Sequence, residues 1–312
     1  MAADKSSLEA LLAELMDPAR PLPVLRLTLF SGLHRHELEV FKASLPKMER
    51  DRQRELATAL VALSHESAEL NFNAIHRILL ESADELVKVQ AMAGLEECED
   101  GSLAVILARL LVEDKAENVR LAAAVALGRL ALLVATGKLL PRYEALITSS
   151  LLRATDRADE AEEVKGAALE SLAFAGQERV SDLIEKAYLS GSPVMKTASV
   201  LAMGHTVDEE WLPVITKELR NENPMLRQAA AHALGELGLE DSALTLAPLT
   251  RDREPGVQLA AVRALGEIGG AEARHVLESV IAQGKDQRLR DAALEALTLV
   301  KFWEDPLSGR GL

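Results

Sequence analysis

The stretch MLRQAAAHALGELG, residues 225–238, returns 31 residues later as GVQLAAVRALGEIG, residues 256–269. Both copies share one frame: an aliphatic residue at the origin, small residues three and seven positions on, a long aliphatic at eight and Gly at nine. The frame fits Leu226, Ala229, Ala233, Leu234 and Gly235, then Val257, Ala260, Ala264, Leu265 and Gly266. Upstream it fits Met195, Ala198, Ala202, Met203 and Gly204, and before that Val119, Ala122, Ala126, Leu127 and Gly128. Looser copies begin at Val87, Val164 and Leu289, so the origins are spaced by 32, 45, 31, 31, 31 and 32 residues. Positions zero, three, four, seven, eight and eleven fall on one face of a helix. A fixed period in this range marks an array of helical repeats. The expected fold is therefore all-α, an α-solenoid built as a right-handed superhelix of antiparallel helix pairs, continuous and without strands.

Turn chemistry agrees with the period. In the unit ending at Gly238, a first helix is expected over residues 208–219, a turn over 221–224 and a second helix over 225–237. Pro224 and Pro255 stand where a helix's first turn tolerates proline, and Gly238 and Gly269 stand where helices end. Residues 1–85 lack the frame. Leu8, Leu11, Leu12 and Leu15 make one amphipathic helix, prolines 18, 21 and 23 end it, and a further helix is expected from Met48 to about Ser64. An array's end must cover a stacked core on one side and face water on the other, so this segment reads as a divergent helical cap. The array then occupies 86–300, with 301–312 as a C-terminal tail packed on the last repeat. The 45-residue interval leaves room for longer helices and for the acidic loop TDRADEAEE.

Composition narrows the function classes. Asp and Glu number 49 against 35 Lys and Arg, a formal charge of −14, and aromatics are 3% of the chain. Nucleic-acid binding normally needs a basic footprint and stacking platforms, so no nucleic-acid partner is expected. Cys98 is the lone cysteine, which leaves no disulfide framework and fits a reducing cytoplasm. The most apolar stretch, from Val125, is interrupted by Arg129, Lys138 and Pro141 and falls short of the roughly 20 apolar residues of a membrane span. It reads as two buried helices, with no membrane partner. No phosphate loop, nucleophile elbow or zinc-protease motif occurs, and no cofactor is expected.

The segments VRLAAAVALGRL, LRQAAAHALGELG and VQLAAVRALGEIG resemble HEAT-like repeats, in particular the short type of the phycobilin lyases, over about residues 84–300. The resemblance is specific as to fold and nearly silent as to activity. It implies inner helices lining a concave face, and an Asp or Asn before each turn linked to a basic residue opening the second helix. Asp114 with Arg120 and Asn221 with Arg227 match that arrangement, whereas Asp252 precedes Gln258 and Ser190 precedes Lys196, so the ladder reads as incomplete. The basic column Lys88, Arg120, Lys165, Lys196, Arg227 and Arg290 is thus assigned to structure. His36-Glu37 and His65-Glu66 resemble the iron-binding dipeptides of HEAT-repeat deoxyhypusine hydroxylases, but two copies in the cap do not match that family's pattern.

Within the frame, positions two, six and ten point away from the core. They hold Glu170, Phe174, Thr197, His205, Gln228, His232, Glu236, Arg263 and Glu267, with Glu295 further on. A column mixing an aromatic, two histidines and both charge signs is the composition of an interface. The expected function is a non-catalytic scaffold or adaptor that receives another protein or peptide on its concave face, with Phe174 as an anchor. A solvated polar face is the bland alternative for the same residues, and a chromophore-lyase-type enzyme is the alternative that the resemblance implies. His232 and Glu236 are four apart on one helix face, so with His205 they are candidate metal ligands.

Overall fold

The computed structural model describes residues 2–176, 179–284 and 286–304. Their regular elements are all helical, with no strand among the described residues. The chain divides into two compact units, residues 1–150 and 151–312.

The first unit holds α1 (Ala2–Leu15), α2 (Arg35–Ser44), α3 (Arg50–Glu66), α4 (Asn73–Leu79), α5 (Glu85–Ala93), α6 (Leu103–Glu113) and α7 (Glu117–Ala135), and α8 (Glu144–Asp156) follows. Here α3, α5 and α7 stack in turn as inner helices, while α4 packs on α5 and α6 on α7. Residues 125–141 are not two buried helices. Arg129 does not break α7, because its guanidinium donates to the Cys98 carbonyl at 2.6 Å. The helix runs on to Ala135, and a turn precedes the short helical turn Pro141–Tyr143. By length and composition α7 could cross a membrane, a property shared by the core helices of soluble proteins; 44% of its most apolar window is buried.

The second unit holds α9 (Glu162–Ala173), α10 (Arg179–Tyr188), α11 (Pro193–His205), α12 (Leu212–Glu218), α13 (Pro224–Leu237), α14 (Ala243–Leu246), α15 (Pro255–Ile268), α16 (Gly270–Gln283) and α17 (Gln287–Glu304). The inner helices α9, α11, α13, α15 and α17 pack each on the next. The outer helices α10, α12, α14 and α16 each cover the inner helix that follows. In α13 the frame residues Leu226, Ala229, Ala230, Ala233, Leu234 and Leu237 are all buried, as are their counterparts in α15. Pro193, Pro224 and Pro255 open their helices, and the side chains of Ser192 and Asn223 accept backbone N–H groups as caps. Of the expected tail, residues 305–312 lie outside the described residues.

Two features of the frame acquire a cause. Glycine at position nine is a spacing device: a Cβ on Gly204 would stand 2.6 Å from the Ala233 Cα, and one on Gly235 2.8 Å from the Ala264 Cα. Position twelve is left-handed, with φ of 61° at Gly176, 64° at Gly238 and 70° at Gly269. The same position in the remaining unit is Val207, at φ 52° and 62% exposed. A β-branched residue is strained there, by roughly 1–2 kcal/mol, and glycine recovers this less its own entropic cost. Val207→Gly is therefore expected to stabilise the protein by about 1 kcal/mol in urea titration, and no gain would show that position not to be strained.

The basic column joins neighbouring units. Arg54 grips the Asp84 carboxylate with two nitrogens, Lys88 pairs with Asp114, and Arg227 holds Asp252 at 2.7 and 2.8 Å. Arg120 and Arg227 also donate to carbonyls of their own turns, at Asp114 and Asn221. The rung that the sequence lacks at Ser190 and Asn221 is supplied by Glu218, which is 1% exposed and meets the Lys196 Nζ at 3.0 Å. Tyr188 and Asn221 donate to the same carboxylate. The ladder is thus more complete than the spacing implies, because a carboxylate one turn earlier takes the vacant place.

Candidate functional site

The outward column of the second unit gathers around one open groove of about 660 Å³. Glu170 reaches it from α9, Thr197 and His205 from α11, Gln228 and His232 from α13, and Arg263 and Glu267 from α15. Their convergence follows from the frame. Each inner helix turns the same face inward, and the glycine-to-alanine contacts hold successive helices close enough for side chains of adjacent units to meet.

Phe174, just beyond the end of α9, stacks on His205 with ring centroids 4.3 Å apart and planes 29° from parallel. It is partly buried, with one ring face against His205. His205 Nδ1 lies 2.6 Å from Glu236 Oε2, and His232 meets the His205 ring edge-on at 6.3 Å. His232 Nδ1 is 3.7 Å from the other Glu236 oxygen. The three metal candidates therefore touch, yet no group of three His, Cys, Asp or Glu side chains among the described residues is arranged to hold a metal ion. Glu236 serves instead to orient His205 between an aromatic ring and a carboxylate.

Thr197 donates its hydroxyl to the Pro193 carbonyl, 2.9 Å away, and Gln228 lies over Gly256, where a Cβ would stand 2.9 Å from its Oε1. Arg263 and Glu267 are exposed on one face of α15. Burial pushes the Glu170 carboxyl up to about 7; His205 lowers it in part and Glu236 raises it further. The Glu267 carboxyl is likewise raised, by loss of water in the groove first, against the attraction of His232, with Glu236 adding repulsion.

The Glu170 shift has a signed consequence. Its folded-state pKa lies above the ordinary 4.5, so the folded protein holds the proton more tightly than the unfolded chain. Its contribution is favourable below pH about 4.5 and is lost as pH rises to about 7. Glu170→Gln is expected to raise the melting temperature above pH about 7 and to leave it nearly unchanged near pH 5. A gain equal at both pH values would contradict this origin.

Some features were not anticipated from sequence. The first unit has its own groove of about 590 Å³ along α5 and α7, walled by Leu86, Val89, Leu121 and Val125. It is more apolar than that of the second unit. Elsewhere in the first unit, Glu37 of the His36-Glu37 dipeptide accepts the His34 backbone N–H at 2.8 Å, and so serves as a helix cap.

The model of the HEAT repeats family matches residues 181–251 and 212–298. No curated protein matches the chain. Among solved structures the chain is similar to the complex of CpcE and CpcF of phycocyanin lyase from a Nostoc species, at 17% identity and a TM-score of 0.48, over 73% of this chain and 94% of that one. Human deoxyhypusine hydroxylase in complex with glycerol aligns at 17% identity and a TM-score of 0.38, over 96% of this chain and 98% of that one. The Escherichia coli protein YibA aligns at 19% identity and a TM-score of 0.43, over 76% and 96% respectively.

Proposed function

We propose that the chain, whose residues 181–298 match the model of the HEAT repeats family, is a non-catalytic interaction module, a scaffold or adaptor that receives another protein on the concave groove of its second unit. The observation that carries this reading is the convergence of His205, on which Phe174 stacks, with His232, Gln228, Arg263 and Glu267 on one open groove. Solenoids use extended concavities of this kind for binding. A groove that mixes imidazoles, an amide and both charge signs offers more directional contacts than a face of lysine and glutamate. The partner is a protein or peptide, not a nucleic acid or a membrane, since the net charge of −14 opposes phosphate-rich surfaces.

The test is site-directed cross-linking in cell extract. A photoreactive residue at Gln228, in the groove, is expected to capture one defined protein, and the same residue at Glu185, exposed on α10, is expected not to. Equal capture from both faces, or none from Gln228, would remove the support for a concave docking site.

A further inference from the structure

The groove of the second unit carries an excess of one charge. Glu170, from α9, and Glu267, from α15, face into it, with Glu236 behind His205. Among the described residues lining it, Arg263 is the one permanent cation. Glu236 is paired with His205, whereas Glu170 and Glu267 are less well compensated. Glu170 is partly buried and accepts no hydrogen bond from any described residue, and Glu236 repels both Glu170 and Glu267. A cation entering the groove would relieve that repulsion and replace the water that burial has removed.

The walls suit a long basic side chain. Leu201 and Leu259 are partly buried and offer aliphatic surface on the groove's sides, against which the methylene stem of arginine or lysine packs while its charged end reaches a carboxylate. The planar guanidinium also matches a carboxylate with two parallel N–H donors. We propose that the groove seats arginine or lysine side chains from a basic segment of the partner, one at Glu170 on α9 and one at Glu267 on α15, an inference that rests on the concave-face reading above. The chain's charge of −14 steers such a segment toward it and repels an acidic or phosphorylated one.

The seat's charge depends on pH. The titratable groups acting on Glu170 are His205, from α11, and Glu236, from α13, while His232, Arg263 and Glu267 complete the groove's charged set. Glu170 takes up a proton near pH 7, so a negative charge disappears from the seat between pH about 8 and about 6. Cation capture weakens over the same interval.

The experiment uses the full chain and two labelled peptides, one containing arginines and its twin with neutral citrulline in their place, with affinity read by fluorescence anisotropy. The arginine peptide is expected to bind roughly tenfold more tightly than its twin, the scale of one charge-assisted hydrogen bond. Glu170→Gln and Glu267→Gln are each expected to weaken it roughly tenfold on the same basis, whereas Glu185→Gln, an equal loss of charge on the exposed side of α10, leaves it unchanged. Wild-type affinity falls from pH about 8 to about 6, and in Glu170→Gln this fall is reduced. Glu267 is exposed, so its variant tests the seat even where Glu170→Gln perturbs folding. Equal binding of the citrulline twin, or equal weakening by Glu185→Gln, would overturn the proposal by showing attraction to net charge alone. Failure of the arginine peptide, with Gln228 cross-linking intact, overturns the basic seat and leaves the docking face standing; loss of both overturns both.

Discussion

Replacing Glu218 with alanine will destabilise the second unit by about 3–5 kcal/mol, the range for stripping one partner from a buried charged pair. The carboxylate is 1% exposed and receives Tyr188, Lys196 and Asn221 at once. Burial alone would raise its pKa, but the hydrogen bonds from Tyr188, Lys196 and Asn221 and the Lys196 charge outweigh burial and hold it below the usual carboxylate value. The same burial, together with the bond to Glu218, pushes the Tyr188 hydroxyl up to about 12. Alanine would leave the Lys196 ammonium, which also lies 4.8 Å from the Tyr188 ring centroid, without its anion. Since the folded pKa of Glu218 is depressed, its stabilisation is present above the ordinary carboxylate pKa and disappears as acid protonates it, the reverse of Glu170. Urea unfolding followed by circular dichroism measures the effect. A cost below about 1 kcal/mol would mean that the network contributes no more than an exposed pair.

Gly235→Ala is the second large effect, and its sign is the point. In an open helix interior this exchange stabilises by about 0.5–1 kcal/mol. Here the new Cβ would stand 2.8 Å from the Ala264 Cα and 2.9 Å from its Cβ, distances that require α13 and α15 to separate. Overpacking of this kind costs about 1–3 kcal/mol, which outweighs the helical gain and leaves a net loss. The Glu267 Oε2, 2.3 Å from that Cβ, must also move, so the groove changes shape. Thermal melts decide the matter: a variant more stable than wild type would show that the inner helices do not approach so closely.

The inner helices are legible in sequence because their environment repeats. Each frame position meets the same neighbour one unit on, so Leu226 and Val257, or Ala233 and Ala264, face the same packing problem and carry similar residues. The column of Glu170, His205, His232 and Arg263 follows from that frame, since a helix that buries one face must present another. The Glu218 network is hidden for the opposite reason. Outer helices vary in length, and α14 is reduced to four residues ahead of a tighter turn containing Pro248, so no period marks which of their polar residues turn inward. A signal was nonetheless present: Lys196 had no acidic residue at Ser190 and an amide at Asn221, an imbalance that a nearby carboxylate could correct. The Phe174–His205 stack is not legible from helix periodicity, because Phe174 lies past the end of α9, where the backbone turns toward left-handed Gly176.

The succession α9, α11, α13, α15 and α17, in which each inner helix packs on the next, also determines how this unit comes apart. Such a row opens first where its helices have fewest partners: among the described residues α17 rests on α15 and α16, whereas α13 is clasped by α11, α12 and α15. Amide exchange should therefore be fastest in α17 and slower toward α13. Opening α17 breaks the contact of Gly266 with Ala296, but none of the residues lining the groove lies beyond Glu267. The proposed docking groove can thus survive excursions of the helix beside it, and a unit in which α17 is briefly undone keeps the groove's walls in place.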